Sequence, residues 1–263
     1  MLTLSRTVRF AINDQPVAGA VANSFAGHPA MRGLGRHYEL DVVCRGEADP
    51  VTGYSVDIKD VDRAVRTRVV DLITGVCAAP PTPEPGELLP AIHQELDEAL
   101  GGRVARLRWR LTPTYSVELE RDMENRVLLR QRFEFAASHR LHVDTLTDEE
   151  NHRLFGKCNN PHGHGHNYQV EPVVSVPLDA EGRQRFALAD LERITDETVV
   201  RHLDHKHLNI DVPEFKALNP SVEHIARVVY ERLAPAVSSA GDGATLQSVT
   251  VWETEKTSCT YPG

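Results

Sequence analysis

Residues 157–168, KCNNPHGHGHNY, put a cysteine and three histidines into one short stretch. A packed core gains little from these side chains, whereas a metal or proton-transfer site uses them. His164 and His166 are two apart on a predicted strand, 163–176, so both side chains point to one face. Gly165 between them points away and crowds nothing. His139 ends the preceding predicted strand, 128–139, and reaches the same place. Three neutral imidazoles with one position left open are the donor set of a catalytic zinc site. Spacing leaves a second register, in which His162, His164 and His166 share a face. The Asn-Pro before His162 places it in a turn, so His164 and His166 are the preferred pair. The bland alternative is three surface histidines in a glycine-rich turn.

Cys158 stands a short turn upstream in polar surroundings. A nearby cation and imidazoles lower a thiol's pKa, so Cys158 is a candidate base or nucleophile. Asp204 and His205, in HLDHKHLN (202–209), are neighbours that suit acid–base work, the carboxylate orienting the imidazole. Histidines closing a helix also answer its dipole, which is the structural reading of the same residues. Glu253 lies on a predicted strand, VTVWETE, among apolar neighbours. A carboxylate there needs a partner, and the edge of a guanidine-like ring would suit it bidentately. Otherwise it is a solvent-facing strand position.

The elements that must position these groups follow one plan twice. In the second half, 128–139 and 163–176 alternate like strands. A helix follows with the stripe Leu188, Leu191, Ile194, Thr198 and His202, then a second over 221–233, then a closing hairpin. In the first half, 6–12 and 33–46 are strand-like. Asp57 caps a helix with the stripe Ile58, Val61, Val65, Val69 and Leu72. A proline-rich loop leads to a second helix near 88–100, and 106–119 mirrors the final hairpin, Trp109 opposite Trp252. Gly33, Gly35 and Tyr38 match Gly163, Gly165 and Tyr168. The expectation is a tandem duplication of β-β-α-α-β-β units, with units 1–124 and 125–263. Antiparallel sheets with helices on one face give an α+β fold.

The bulk numbers agree with a folded enzyme. The 263 residues are 41% hydrophobic, enough for a core. A net charge of -9 disfavours a nucleic-acid binder, yet a local pocket can still be basic. The four cysteines are scattered, without a CxxC pair, and are expected to be reduced thiols. No membrane-spanning run or signal-peptide core is evident, so a soluble, cytoplasmic chain without membrane or nucleic-acid partners is expected. Ten of the 13 histidines lie between His139 and His224, which puts the chemistry in the second half.

The stretches FEFAASHRL, FGKCNNPHGHGHNYQV, LDHKHLNID, NPSVEHIA and VWET together resemble the 6-pyruvoyl-tetrahydropterin synthase / 6-carboxytetrahydropterin synthase family. The resemblance covers the whole second half. It implies the tunnelling fold, whose units join their sheets into barrels. It implies Zn²⁺ on His139, His164 and His166, Cys158 as general base, and Asp204 with His205 as a proton relay. Glu253 would anchor the pterin's amino-pyrimidine edge, with Ser221 and Glu223 nearby. The implied substrate is the small molecule 7,8-dihydroneopterin triphosphate, converted to 6-pyruvoyl-tetrahydropterin with loss of triphosphate. That makes the chain a carbon-oxygen lyase. The same substrate in the carboxy branch, which leads to queuosine, gives 6-carboxytetrahydropterin instead, and the pyruvoyl branch is the preferred reading. A non-catalytic pterin- or zinc-binding protein is the alternative of another class. A zinc hydrolase is disfavoured by the lack of HExxH. A homo-oligomer is implied, and with two units per chain a trimer of chains preserves the family's unit count.

The first half departs from the pattern. Leu34 and Arg36 stand where His164 and His166 would be, Asp14 near the place of His139, and Arg110 in place of Glu253. That half is expected to be structural. A sharper hypothesis gives Arg36 or Arg110 to a neighbour's triphosphate site.

Overall fold

The computed structural model describes residues 1–14, 27–123, 125–241 and 243–262. The chain divides into two compact units: Met1–Leu129 with Val176–Arg185, and Arg130–Ser175 with Phe186–Gly263. Glu124, where the sequence places the end of its first unit, lies outside the described residues. A short segment of the second half, Val176–Arg185, packs with the first unit.

In the first unit, β1 (Leu2–Ile12), β2 (Arg36–Gly46), β3 (Val104–Arg110) and β4 (Tyr115–Glu120) pair antiparallel in chain order. Strand alternation sorts their side chains. Val8, Phe10, Leu40, Val42, Leu107 and Trp109 are buried on one face. Arg9, Glu39 and Arg110 sit opposite one another on the other face and are ion-paired. Helix α1 (Ile58–Ala64) starts at Asp57, whose side chain accepts from the Lys59 amide. It passes through a π-helical turn, Val65–Val69, into α2 (Val70–Ala78). Helix α3 (Pro85–Ala99) packs against β3 and β4.

Strand β5 (Arg126–Gln131) runs across the division between the units. The second unit holds β6 (Phe133–His139), α4 (Asp148–Phe155) and β7 (His164–Pro177). Helix α5 (Leu188–Thr195), a π-helical turn Asp196–Val200 and α6 (Arg201–Leu203) follow. Then come β8 (Lys206–His207), α7 (Leu208–Asp211), α8 (Val222–Ser239), β9 (Thr245–Thr254) and β10 (Thr257–Tyr261). Laterally the strands run β8-β6-β7-β9-β10, all antiparallel except β8 with β6. Helix α8 covers β9 and β10, burying Ile225, Val229 and Leu233 with Val249 and Val251. The protein is thus mixed α+β, with helices against sheet. Among the described residues β1 has only β2 as a strand neighbour and β10 only β9.

Both first helices depart from the expected stripe, that of the first unit only at its ends, since Val61, Val65 and Val69 are buried as expected. In the second unit the buried line runs Leu191, Ile194, Val199, Leu203, not through Thr198 and His202. In the first it runs Val61, Val65, Val69, Ile73, with Ile58 exposed and Leu72 only half-buried. A π-helical turn takes an extra residue per turn, so the core-facing line slips by one position after it.

Candidate active site

Strand pairing builds the centre of the site. In the β6–β7 ladder His139 lies directly opposite His164, and Ala137 opposite His166. His139, His164, His166 and Tyr168 therefore share the face that carries Phe135. His162 stays exposed in the turn before β7, its amide held by the Asn160 side chain. The ligand nitrogens of His139, His164 and His166 lie within 4.8 Å of one another. The Nε2 atoms of His139 and His164 are 3.1 Å apart. Nitrogens on a tetrahedral zinc are spaced about 3.4 Å apart, so this spacing suits one ion.

Hydrogen bonding selects the nitrogen that His139 presents. His139 is fully buried, and its Nδ1 donates to the Pro220 carbonyl at 2.7 Å. Its Nε2 is left as the free lone pair, facing the other two rings. The Tyr168 hydroxyl is 3.4 Å from the same Nδ1. Burial pushes the His139 pKa down to about 4; the Pro220 bond opposes it, and the neighbouring imidazoles His164, His166 and His207 add smaller downward contributions. His164 is lowered as well, by burial and then by His166. Neutral imidazoles are the form that binds a cation. Among the described residues buried Nε2 of His166 has no hydrogen-bond partner, a cost that a bound ion would relieve. The donor set and its geometry fit Zn²⁺.

Glu253 faces this centre. Strand β9 pairs with β7, Trp252 opposite Gln169, so Glu253 falls on the histidine face. Its Oε1 is 3.4 Å from His139 Nε2 and 3.7 Å from His166 Nε2. Cys158 lies half-buried in a 3₁₀ turn, Gly156–Asn159. Its carbonyl accepts from the Leu141 amide at 2.9 Å, which fastens the turn to the segment leaving His139. The Tyr168 pKa is raised by burial, then by the charges of Glu253 and Cys158, so both groups lie within electrostatic reach of that phenol.

Asp204 and His205 form a pair, but away from the histidines. His205 Nδ1 is 2.7 Å from the Asp204 carboxylate, and Asp204 also accepts from the Ala136 amide, which with His205 holds its carboxyl below the usual range. His205 is 83% exposed and sits at a positive φ of 55°. It lines a cavity whose wall includes Ala136, Ser138, Gly165 and Asn167 and also reaches Ala137 and His166. Ala136, Ser138, Gly165 and Asn167 alternate with the metal-type histidines and face the other way. Ser221 and Glu223 serve α8: the Ser221 hydroxyl caps the helix by accepting from His224 N, and Glu223 bonds to Ser221, which lowers its carboxyl pKa. They stand beside Pro220, the residue that orients His139.

The sequence reading missed the residues that hold the loops. Asn209 clamps the Arg140 backbone, accepting from its N–H and donating to its carbonyl. Asn219 accepts from the His142 amide. Asn151, fully buried, donates to three carbonyls and accepts from Val143 N. Each is an asparagine inside a motif singled out for its histidines or beside one, and a buried amide must find partners. In the first unit, Leu34 is 96% exposed, Arg36 begins β2, and Arg110 is committed to Glu39 and Asp41. Aligned on the two tryptophans, Arg110 was expected in the place of Glu253. Yet Trp109 turns into the core while Trp252 faces away from it, stacked against Arg132. The two hairpins differ by one residue in register, which exchanges the faces.

This is an α+β unit with a site of the kind that holds a metal ion through three imidazoles. A family model described as 6-pyruvoyl tetrahydropterin synthase matches residues 128–263, and the chain belongs to that family. Among its relatives, human 6-pyruvoyl tetrahydrobiopterin synthase is 40% identical over 133 residues, 51% of this chain and 89% of that protein. The Drosophila melanogaster 6-pyruvoyl tetrahydrobiopterin synthase is 36% identical over 135 residues, 51% of this chain and 79% of that one. A solved structure of Caenorhabditis elegans 6-pyruvoyl tetrahydropterin synthase is 35% identical, with a TM-score of 0.48, covering 52% of this chain and 96% of that one. Among the described residues no helix is long and apolar enough to cross a membrane.

Proposed function

We propose that the second unit is a zinc-dependent 6-pyruvoyl-tetrahydropterin synthase acting on 7,8-dihydroneopterin triphosphate. The observation that carries this reading is the convergence of the ligand nitrogens of His139, His164 and His166 within 4.8 Å beside Glu253, with His139 oriented by its bond to the Pro220 carbonyl. Zn²⁺ held by His139, His164 and His166 would supply Lewis acidity toward the substrate's side-chain hydroxyls and ease loss of adjacent protons. Glu253 holds the amino-pyrimidine edge, accepting two N–H bonds. Cys158 removes a side-chain proton as base, the triphosphate leaves by elimination, and internal tautomerisation gives the pyruvoyl product, with no external oxidant.

Asp204 and His205 move a proton only when a substrate lies against the other sheet face. We assign them to the site of a neighbouring chain in a homo-oligomer, a trimer of chains on the unit count. Their exposure at a sheet edge supports that assignment. The first unit is taken as a degenerate copy that completes a barrel. In its favour are the shared order of strands and helices and a π-helical turn at the matching place in each first helix.

The test is anaerobic incubation of the zinc-loaded chain with 7,8-dihydroneopterin triphosphate, with Cys158→Ala in parallel and products read by mass spectrometry. Pyruvoyl product and inorganic triphosphate, lost in the variant, are expected. Carboxytetrahydropterin with acetaldehyde would move the chain to the carboxy branch and keep the site. No turnover at full zinc occupancy would leave a pterin- or zinc-binding protein.

A further inference from the structure

Most arginines of this acidic chain are tied to carboxylates, among them Arg6, Arg9, Arg66, Arg110, Arg132 and Arg232. Arg140 is not. Its Nε donates to the carbonyl and side-chain oxygens of Asn159, both at 3.2 Å. Among the described residues its two terminal nitrogens have no hydrogen-bond partner and it forms no ion pair. Lys157 and Lys216 likewise form no ion pair among the described residues. All three line cavities. One, of about 580 Å³, is walled by Arg140, His142 and Lys216. The other, of about 780 Å³, is walled by Arg140, His152 and Lys157. Arg140 and Pro161 are common to both. The carboxylates at the rims, Asp144 and Asp148, are fewer than the cations.

We propose that this double cavity is a binding site for a condensed phosphate, with Arg140 at its centre and Lys157 and Lys216 on either side. A guanidinium anchored through Nε presents its other two nitrogens as a fork matched to phosphate oxygens. Unpaired cations in a concave wall concentrate anions even when the whole protein is negative. Two of the three cations are also next to site residues in the chain: Arg140 follows His139, and Lys157 precedes Cys158. Identifying the bound anion as the triphosphate end of the substrate rests on the proposed function; the site itself does not.

The experiment is isothermal titration of the zinc-loaded full chain with sodium tripolyphosphate, zinc content being measured before and after. Arg140→Gln, Arg140→Lys and Lys157→Gln are compared with Lys59→Gln, an exposed helix position of the first unit. Circular dichroism and Tm confirm folding. Arg140→Gln and Lys157→Gln should each weaken binding tenfold or more, Arg140→Lys by less, and Lys59→Gln not at all. With 7,8-dihydroneopterin triphosphate the same two variants should raise KM by a similar factor and leave kcat within threefold. Equal tripolyphosphate binding in all variants, with zinc retained, overturns the proposal. Binding lost in the variants of a chain that turns over no pterin keeps the anion site and removes the enzyme reading. Turnover with an unchanged KM in Arg140→Gln and Lys157→Gln does the reverse.

Discussion

The turn Gly33–Arg36 of the first unit and the turn Gly163–His166 of the second each lead into a long strand, and Gly33 and Gly163 both have a positive φ, 55° and 73°. Around Gly33 there is nothing: a Cβ built there meets no atom within 4 Å, and Leu34 beside it points into solvent. Around Gly163 the space is filled. A Cβ would lie 2.8 Å from His207 Nε2 and 3.0 Å from the His139 carbonyl oxygen. The same backbone bend therefore serves a bare hairpin entry in one unit and a crowded histidine centre in the other. The strand architecture tolerates either; the chemistry depends on which side chains converge on the bend and on the loops that Asn151, Asn209 and Asn219 fasten behind it.

If only the second unit holds the metal, the wild-type chain should bind one zinc, and His164→Ala should bind close to none. Metal analysis after dialysis checks this, and turnover should fall at least about a thousandfold. A second zinc per chain, or one that survives His164→Ala, would break the contrast between the units. Next in size is a complementation test of the two sheet faces. Cys158→Ala and His205→Ala should each be nearly inactive alone. Unfolded together and reassembled, they should recover a substantial share of the wild-type rate, because some sites then combine an intact Cys158 with an intact His205 from another chain. No recovery, with mixed oligomers verified by mass, would place both residues in one chain's site.

Much of this contrast was legible in the sequence. The period-two spacing of His164 and His166, with His139 ending the partner strand, is enough to converge three rings, because an antiparallel ladder sets faces by parity alone. The position of Asp57 before an apolar stripe likewise marked a helix start that its side chain does cap. What the sequence hid was long-range or non-additive. The π-helical turns slip the buried line from Thr198 and His202 to Val199 and Leu203, and no local propensity announces the extra residue. Nor does proximity in HLDHKHLN show that Asp204 and His205 turn to the opposite sheet face, since that depends on the short parallel pairing of β8 with β6. The tryptophan match misled for the same reason: a one-residue shift of register put Trp109 in the core and Trp252 outside it.

The buried imidazole also separates the units by pH. His139 has its pKa lowered from 6.5 to about 4 by burial, so the unfolded chain takes up the proton first. Stability of the metal-free protein should be flat above pH 6.5 and fall as pH drops from 6.5 toward 4, by up to about 3 kcal/mol if the shift is fully expressed. Zinc retention should fail in the same direction, since the ligands must be neutral. Denaturant unfolding at pH 7.5, 6, 5 and 4 measures the slope. It should shrink in His139→Gln, which removes the titrating group and also loses the ring packing, so the slope and not the absolute stability is the comparison.

The smallest expected effect is the most direct test of the paired turns. Gly33→Ala has open space around it and incurs only the cost of an alanine at positive φ, about 1 kcal/mol. Gly163→Ala carries the same backbone cost and must also move either the His207 ring or the His139 carbonyl, adding on the order of 1–3 kcal/mol. Because His139 ends β6 and is bonded through Nδ1 to Pro220, its carbonyl has little freedom to shift, whereas His207 is half-buried at an edge strand and can swing aside. If the ring moves, Gly163→Ala should cost stability while zinc stoichiometry stays at one. If the carbonyl moves, zinc affinity should fall with stability. Chemical denaturation of the two variants, with zinc titration of the second, separates these cases. Equal destabilisation of both variants with unchanged zinc affinity would show that the crowding at Gly163 carries no energetic consequence, and that the two turns differ in side chains alone.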